Sequence, residues 1–153
     1  MCSFPLGKYI KHIAASFYKE KPQFDPQLIN DIQKMAAQVK ERQYRDKYLK
    51  AMRFVIFDTE TTGFHPYAGD ELISIGAVVI ENGRIVENRS FHELIYPGRA
   101  IPPIVSEITG ILDKDVEDAP SALPILHKFL HFIKDYYLVA HCADFDLNFI
   151  NSK

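Results

Sequence analysis

The sequence predicts an α/β domain whose mixed sheet joins three antiparallel strands to one parallel strand, with flanking helices and a helical extension in front. Three observations predict it. Apolar residues recur at helical spacing before Arg53, the pattern then changes to β-branched runs joined by an Asn-Gly turn, and a last short run, YYLVA, follows a helical segment.

The extension comes first. In FDPQLINDIQKMAAQVKERQYRDKYLK, Asp25 is placed to cap a helix with Pro26 at its first position. Leu28, Ile32, Met35 and Val39 then form one apolar stripe, which needs a partner, and the earlier GKYIKHIAASFYKE is expected to pack alongside. The boundary falls near Lys50, dividing the chain into residues 1–51, the helical extension, and 52–153, the sheet-containing domain.

FVIF is the first strand and ELISIGAVVI the second. Asn82-Gly83 supplies a tight hairpin turn, so RIVENRSFHELI returns as a third strand. Tyr96-Pro97-Gly98 and Pro102-Pro103 break the pattern, and IVSEITGILDKDVEDAP reads as short helical turns around Gly110. In PSALPILHKFLHFIKD, Leu126, Phe129, Leu130 and Ile133 share a helical face, with Pro124 tolerated in the first turn. YYLVA follows as a buried strand parallel to the first, because a helix intervenes. DFDLNFINSK begins a further helix.

At 153 residues, 47% apolar and 25% charged, the chain suits one soluble domain with an appendage and excludes a disordered or fibrous class. The longest apolar run, around Leu72 to Ile80, is too short and interrupted to span a membrane, and no secretory signal is read at the start. Cys2 and Cys142 have no metal-type spacing, which points to a reducing, cytoplasmic setting. The net charge of -2 divides unevenly: residues 1–51 hold ten Lys/Arg against five Asp/Glu, and the remainder eight against fifteen. A basic arm of this size suits a nucleic-acid backbone or a solvated helix face.

The chemistry centres on FVIFDTETTGFHP. Side chains alternate along a strand, so Asp58 and Glu60 project one way and Thr59 the other. Two carboxylates beside apolar surface need positive charge, yet no Lys or Arg lies between Phe54 and Tyr67. In VAHCADFDLNFI, Asp146 falls in the first turn of a helix that begins near Asp144, close to the same sheet edge. Three converging acids select hard divalent cations, Mg²⁺ or Mn²⁺, and a pair of such ions suits in-line displacement at a phosphodiester. Taken by itself, Asp146 would be a helix-terminal acid favoured by the dipole.

FVIFDTETTG followed by VAHCADFDLNFI, with SEITGILDKDVEDAPS between them, resembles the DEDD exonucleases of the DEDDh type. That group contains the epsilon subunit of DNA polymerase III and the exonuclease domain of Gram-positive replicative polymerases. The match runs over about residues 53 to 151. The resemblance implies a ribonuclease H-like fold and release of mononucleotides from a nucleic-acid 3′ end, DNA in preference to RNA, with two metal ions in the complete domain. A DNA polymerase subunit is an implied partner. Asp58, Glu60 and Asp146 fall on three of the four metal-binding, catalytic acids. Thr61, Thr62, Gly63, Phe64, Thr109 and His141 are the residues expected on the substrate side. Thr61, Thr62 and Gly63 would offer backbone donors and room for the terminal nucleotide, and Phe64 a ring to stack on a base. His141 matches a structural His of the second motif, so a supporting role is expected rather than base catalysis. His65, His92, His127 and His131 show no metal-like pattern.

The family's third motif, a His five residues before the fourth acid, does not occur after Asp146. The expectation is therefore a domain incomplete at its C-terminus, a fragment with weak or no activity by itself. Cys142 stands where relatives usually carry Asn. Two other readings stay open: a non-catalytic module that holds nucleic acid or a polymerase through a partial metal site, and a structural one in which the acids only cap turns.

Overall fold

A computed structural model describes residues 25–38, 48–134 and 136–153. The expected packing of GKYIKHIAASFYKE and the place of Val39 in its stripe lie outside these residues. Helix α1 (Pro26–Gln38) begins as the sequence predicts, with Asp25 Oδ1 accepting a hydrogen bond from the Gln27 N–H at 2.9 Å. Its stripe finds a partner: Ile32 is buried in the main core, and Leu28, Ile29 and Met35 pack against it. Helix α4 (Ala122–Ile133) is the element that α1 contacts.

The sheet contains β1 (Arg53–Thr61), β2 (Leu72–Glu81), β3 (Arg84–Leu94) and β4 (Tyr137–Val139), in the order β3-β2-β1-β4. β1 and β2 are antiparallel with Phe57 opposite Ala77 and Asp58 opposite Gly76. Asn82 and Gly83 take φ of 54° and 75°, the left-handed pair of a two-residue hairpin turn, and set β3 antiparallel to β2. β4 returns through α4 to lie parallel to β1, pairing Phe54 with Tyr137 and Ile56 with Val139. It ends there, so among the described residues the β4-side edge of β1 has no strand partner beyond Ile56.

Alternation decides where the core sits. Val55, Phe57 and Thr59 of β1 and Ile75, Ala77 and Val79 of β2 are buried on one face, while Asp58 is exposed on the other. α4 covers the buried face with Leu126, Phe129, Leu130 and Ile133, the face the sequence predicts. Phe129 holds the layers together, its ring 5.6 Å from Phe57 and 5.4 Å from Phe91. Helix α5 (Ala143–Asn151) adds Leu147, Phe149 and Ile150 to the same core. Two short helices, α2 (Pro103–Thr109) and α3 (Asp113–Val116), are separated by Gly110, whose φ of 74° ends α2 in the left-handed region. They close a smaller cluster of Ile73, Ile101 and Val116.

The sheet end away from the acids is tied by polar contacts. Arg89 Nη1 donates to Glu81 Oε1 and to the Tyr136 hydroxyl, each at 2.9 Å, and Tyr136 donates to Glu81 at 2.9 Å. No helix among the described residues is long and apolar enough to cross a membrane.

Because Phe129 is buried between sheet and helix, Phe129→Ala is expected to lower folding stability by about 3–5 kcal/mol. Urea unfolding of the two proteins measures it.

Candidate active site

Asp58 and Glu60 leave the C-terminal end of β1 on the face opposite the core; Asp58 is exposed and Glu60 half-buried. Asp146 comes from the other side. It lies in the first turn of α5, on the covered face, and is only 1% exposed. Its Oδ1 accepts two hydrogen bonds from one residue, from the Thr59 N–H at 3.0 Å and from the Thr59 hydroxyl at 2.6 Å. The cause is the short β4: the Thr59 amide lies past the last β1–β4 pair, and the carboxylate of α5 takes the acceptor's place there.

Asp146 is thus held at the edge of β1 beside the residue that separates Asp58 from Glu60. The three carboxylates act on one another. Burial pushes the Glu60 carboxyl up from its ordinary value, and the charges of Asp58 and then Asp146 push it further. Asp146 is also raised, chiefly by burial and secondly by Asp58, while the hydrogen bonds from Thr59 oppose the shift. Among the described residues none of the three forms an ion pair with Lys, Arg or His. Nor are any three His, Cys, Asp or Glu side chains among those residues already drawn together as a metal-binding group. The donor set fits a hard divalent cation all the same. It is oxygen only, it carries like charges that raise two pKa values, and it has no protein cation to offset them.

The neighbouring loop uses most of its polar groups internally. The buried Thr61 donates its hydroxyl to the Gly63 carbonyl at 2.6 Å. Thr62, also buried, donates its N–H to the Glu71 carbonyl at 2.8 Å, and its hydroxyl accepts from the Glu71 N–H at 2.9 Å. The space left by the missing side chain of Gly63 holds the carboxylate of Asp70. Phe64 is 77% exposed, with its ring 6.1 Å from that of Phe145, the neighbour of Asp146. Thr109 serves its own helix end: its hydroxyl donates to the Val105 carbonyl at 2.9 Å and accepts from the Ile111 N–H at 3.1 Å. His141 is exposed in the turn before α5, with no hydrogen bond or ion pair to a described residue. Cys142 is a free, exposed thiol at φ 54°, a left-handed position that Asn tolerates better than most residues.

Sequence reasoning missed Thr59 and Asp70. Thr59 was legible only as the residue facing away from the acids, and its partner lies 87 positions on. Asp70 sits in a polar turn, with nothing local to mark it.

Residues 55–153 match the RNase_T family, described as exonuclease. A DNA polymerase III subunit epsilon-like protein of Rhodobacter capsulatus is 44% identical over 105 residues, which are 69% of this chain and 15% of that protein. The 3'-5' exonuclease DinG of Bacillus subtilis is 39% identical over 102 residues, 67% of this chain and 11% of its own. The DNA polymerase III subunit epsilon of Treponema pallidum is 44% identical over 100 residues, 65% of this chain and 45% of its own. The chain therefore spans less than half the length of each of these relatives. Among solved structures, exonuclease I in a product-bound form superposes with a TM-score of 0.57 at 17% identity, over 65% of this chain and 24% of that one. Cell-death related nuclease 4 gives 0.53 at 21% identity, over 61% and 36%. Those two likenesses are of fold, and the ribonuclease H-like mixed sheet expected from the sequence is the fold found.

Both raised carboxyls make folding weaker when they ionise. Their contribution is fully present below the unfolded-state pKa and is lost as pH rises through the raised folded-state values. Without divalent metal, the contribution of these two groups to the melting temperature is expected to fall as pH rises from the ordinary carboxylate range towards neutrality, and Asp146→Asn to lessen the fall. Thermal melts in a chelator across this range measure it.

Proposed function

Since the chain belongs to the exonuclease family, we propose that it is a 3′-5′ exonuclease domain that hydrolyses phosphodiester bonds at nucleic-acid 3′ ends, DNA in preference to RNA. One observation carries the reading: the Asp146 carboxylate is anchored by Thr59 at the open edge of β1, where it and Asp58 act electrostatically on Glu60.

Asp58, Glu60 and Asp146 would hold Mg²⁺ or Mn²⁺, two ions in the complete domain. When bound, such ions offset the negative charge that grows on the phosphodiester and make water a stronger nucleophile. The chain's own residues do the positioning. Thr59 holds Asp146 through two hydrogen bonds to one carboxylate oxygen, which limits how far the carboxylate can turn. Thr61, Thr62 and Gly63 form the bend beside the acids, and Phe64 with Phe145 offers an aromatic surface for the terminal base. Thr109 and His141 complete the proposed substrate side as supporting contacts.

Residues 1–51 are assigned to a helical extension and 52–153 to an exonuclease domain. A DNA polymerase subunit is the proposed partner, because relatives carry that name. A cytoplasmic setting is proposed as well, consistent with the free thiol of Cys142. A second reading, a non-catalytic module that holds nucleic acid or a polymerase through a partial metal site, draws on the basic balance of residues 1–51, ten Lys/Arg against five Asp/Glu.

Mn²⁺ is expected to raise the melting temperature, with Asp58→Ala and Asp146→Asn each removing most of the rise; an equal response in all three proteins would sink the metal assignment. On a 3′-labelled oligonucleotide the 153-residue chain is expected to release nucleotides slowly if at all. Robust Mg²⁺-dependent release would show that the residues present suffice. Phe64→Ala is expected to weaken single-stranded oligonucleotide binding in Mn²⁺ by about 1–3 kcal/mol, read by fluorescence anisotropy.

A further inference from the structure

Residues 62–71 join β1 to β2, and they are built around a side chain that has no part in the acid cluster. The Asp70 carboxylate lies so close over Gly63 that a Cβ at that position would collide with it. Gly63 is not among the glycines with positive φ, so the backbone there does not require glycine; the space does. Asp70 then binds both limbs of the bend. Its Oδ2 accepts from the His65 N–H at 3.0 Å, and its Oδ1 accepts from the Thr62 hydroxyl at 3.4 Å. Arg99, from the segment after β3, donates through Nη1 to Asp70 Oδ1 at 3.2 Å and to the Gly69 carbonyl at 2.5 Å. Lys153 joins from beyond α5, donating to the Asp70 carbonyl at 3.3 Å and pairing with Glu71 at 2.5 Å.

A carboxylate that accepts from a backbone amide, a hydroxyl and a guanidinium is held far more firmly than a turn residue in water. The groups it holds flank Gly63 and Phe64, next to Thr61 at the end of the strand that carries Asp58 and Glu60. We propose that Asp70, with Arg99 as counter-charge, is the positioning residue of the substrate-side bend. It fixes Thr62 to His65 so that the exposed Phe64 ring stays beside Phe145. What the bend binds rests on the exonuclease reading, whereas the clamp itself does not.

The full chain tests it with Asp70→Ala, Asp70→Asn, Arg99→Gln, Gly63→Ala and the double variant Gly63→Ala/Asp70→Ala. Loss of one charge-assisted contact is expected to speed hydrogen exchange at the His65 amide about tenfold in Asp70→Ala. Binding of deoxythymidine 5′-monophosphate in Mn²⁺ should weaken about tenfold in both Asp70 variants and less in Arg99→Gln. The Mn²⁺ melting shift should be retained in all of them, since no acid of the cluster is altered. Gly63→Ala should lower the melting temperature, and adding Asp70→Ala should restore most of the loss by removing the group it strikes.

Unchanged His65 exchange together with no rescue in the double variant overturns the clamp. Unchanged nucleotide affinity in the Asp70 variants, with the metal response intact, overturns its role in substrate positioning and leaves the metal reading standing. If the parent chain binds neither Mn²⁺ nor the nucleotide, the exonuclease reading fails, and the exchange and rescue measurements still decide the clamp.

Discussion

The site depends on one unpaired stretch of strand edge. β4 is three residues long and stops opposite Ile56, so the amide of Thr59 has no strand carbonyl to meet. A buried amide without an acceptor is costly, and so is a buried carboxylate without a donor. Asp146 and Thr59 remove both costs at once, with the Thr59 hydroxyl adding a second contact of 2.6 Å. That pairing sets how deep and in what register α5 lies against β1, while Leu147, Phe149 and Ile150 pack into the core behind it.

The strand edge is also where carboxylates from opposite sheet faces can approach. Asp58 and Glu60 belong to the open face, Thr59 and Asp146 to the covered one. Placed anywhere along a paired stretch, the two sets would be separated by the thickness of the sheet. Here they come close enough for the charges of Asp58 and Asp146 to raise Glu60. The resulting repulsion is tolerated because the rest of the fold holds the backbone: paired strands on one side, and α4 with Phe129 beneath. An arrangement that is unfavourable by itself becomes favourable with a divalent ion, which links the stability of this end of the molecule to its chemistry.

The bend after β1 obeys a related rule. Thr61 donates its hydroxyl to the Gly63 carbonyl, and Thr62, Asp70 and Glu71 satisfy one another's polar groups, which leaves Phe64 and Tyr67 as the exposed rings of the loop. Thr61 and Thr62, from which the sequence led one to expect backbone donors, use their hydroxyls within the loop. Thr109 repeats the pattern at the end of α2. What faces outward is then governed by which groups the loop has left over.

Local patterns were enough for the elements. The period of two in FVIFDTET assigned the faces of β1, Asn82-Gly83 located the hairpin, and the spacing of Leu126, Phe129, Leu130 and Ile133 named the face of α4 that meets the sheet. Asp25 and Pro26 marked the start of α1. Each of these rests on backbone sterics or side-chain period, properties carried by residues a few positions apart. The sequence by itself therefore determined the mixed sheet, the direction of its strands and the acids that stand at its end. It did not reveal that Thr59 grips Asp146, that Asp70 fills the space over Gly63, or that Arg99 and Lys153 converge on that loop. Those contacts join residues separated by 29 to 87 positions, apart from the Gly63–Asp70 approach, which depends on how the whole bend closes. Only the tertiary structure decided them, because it alone sets which strand edge is left open and which side chains reach it.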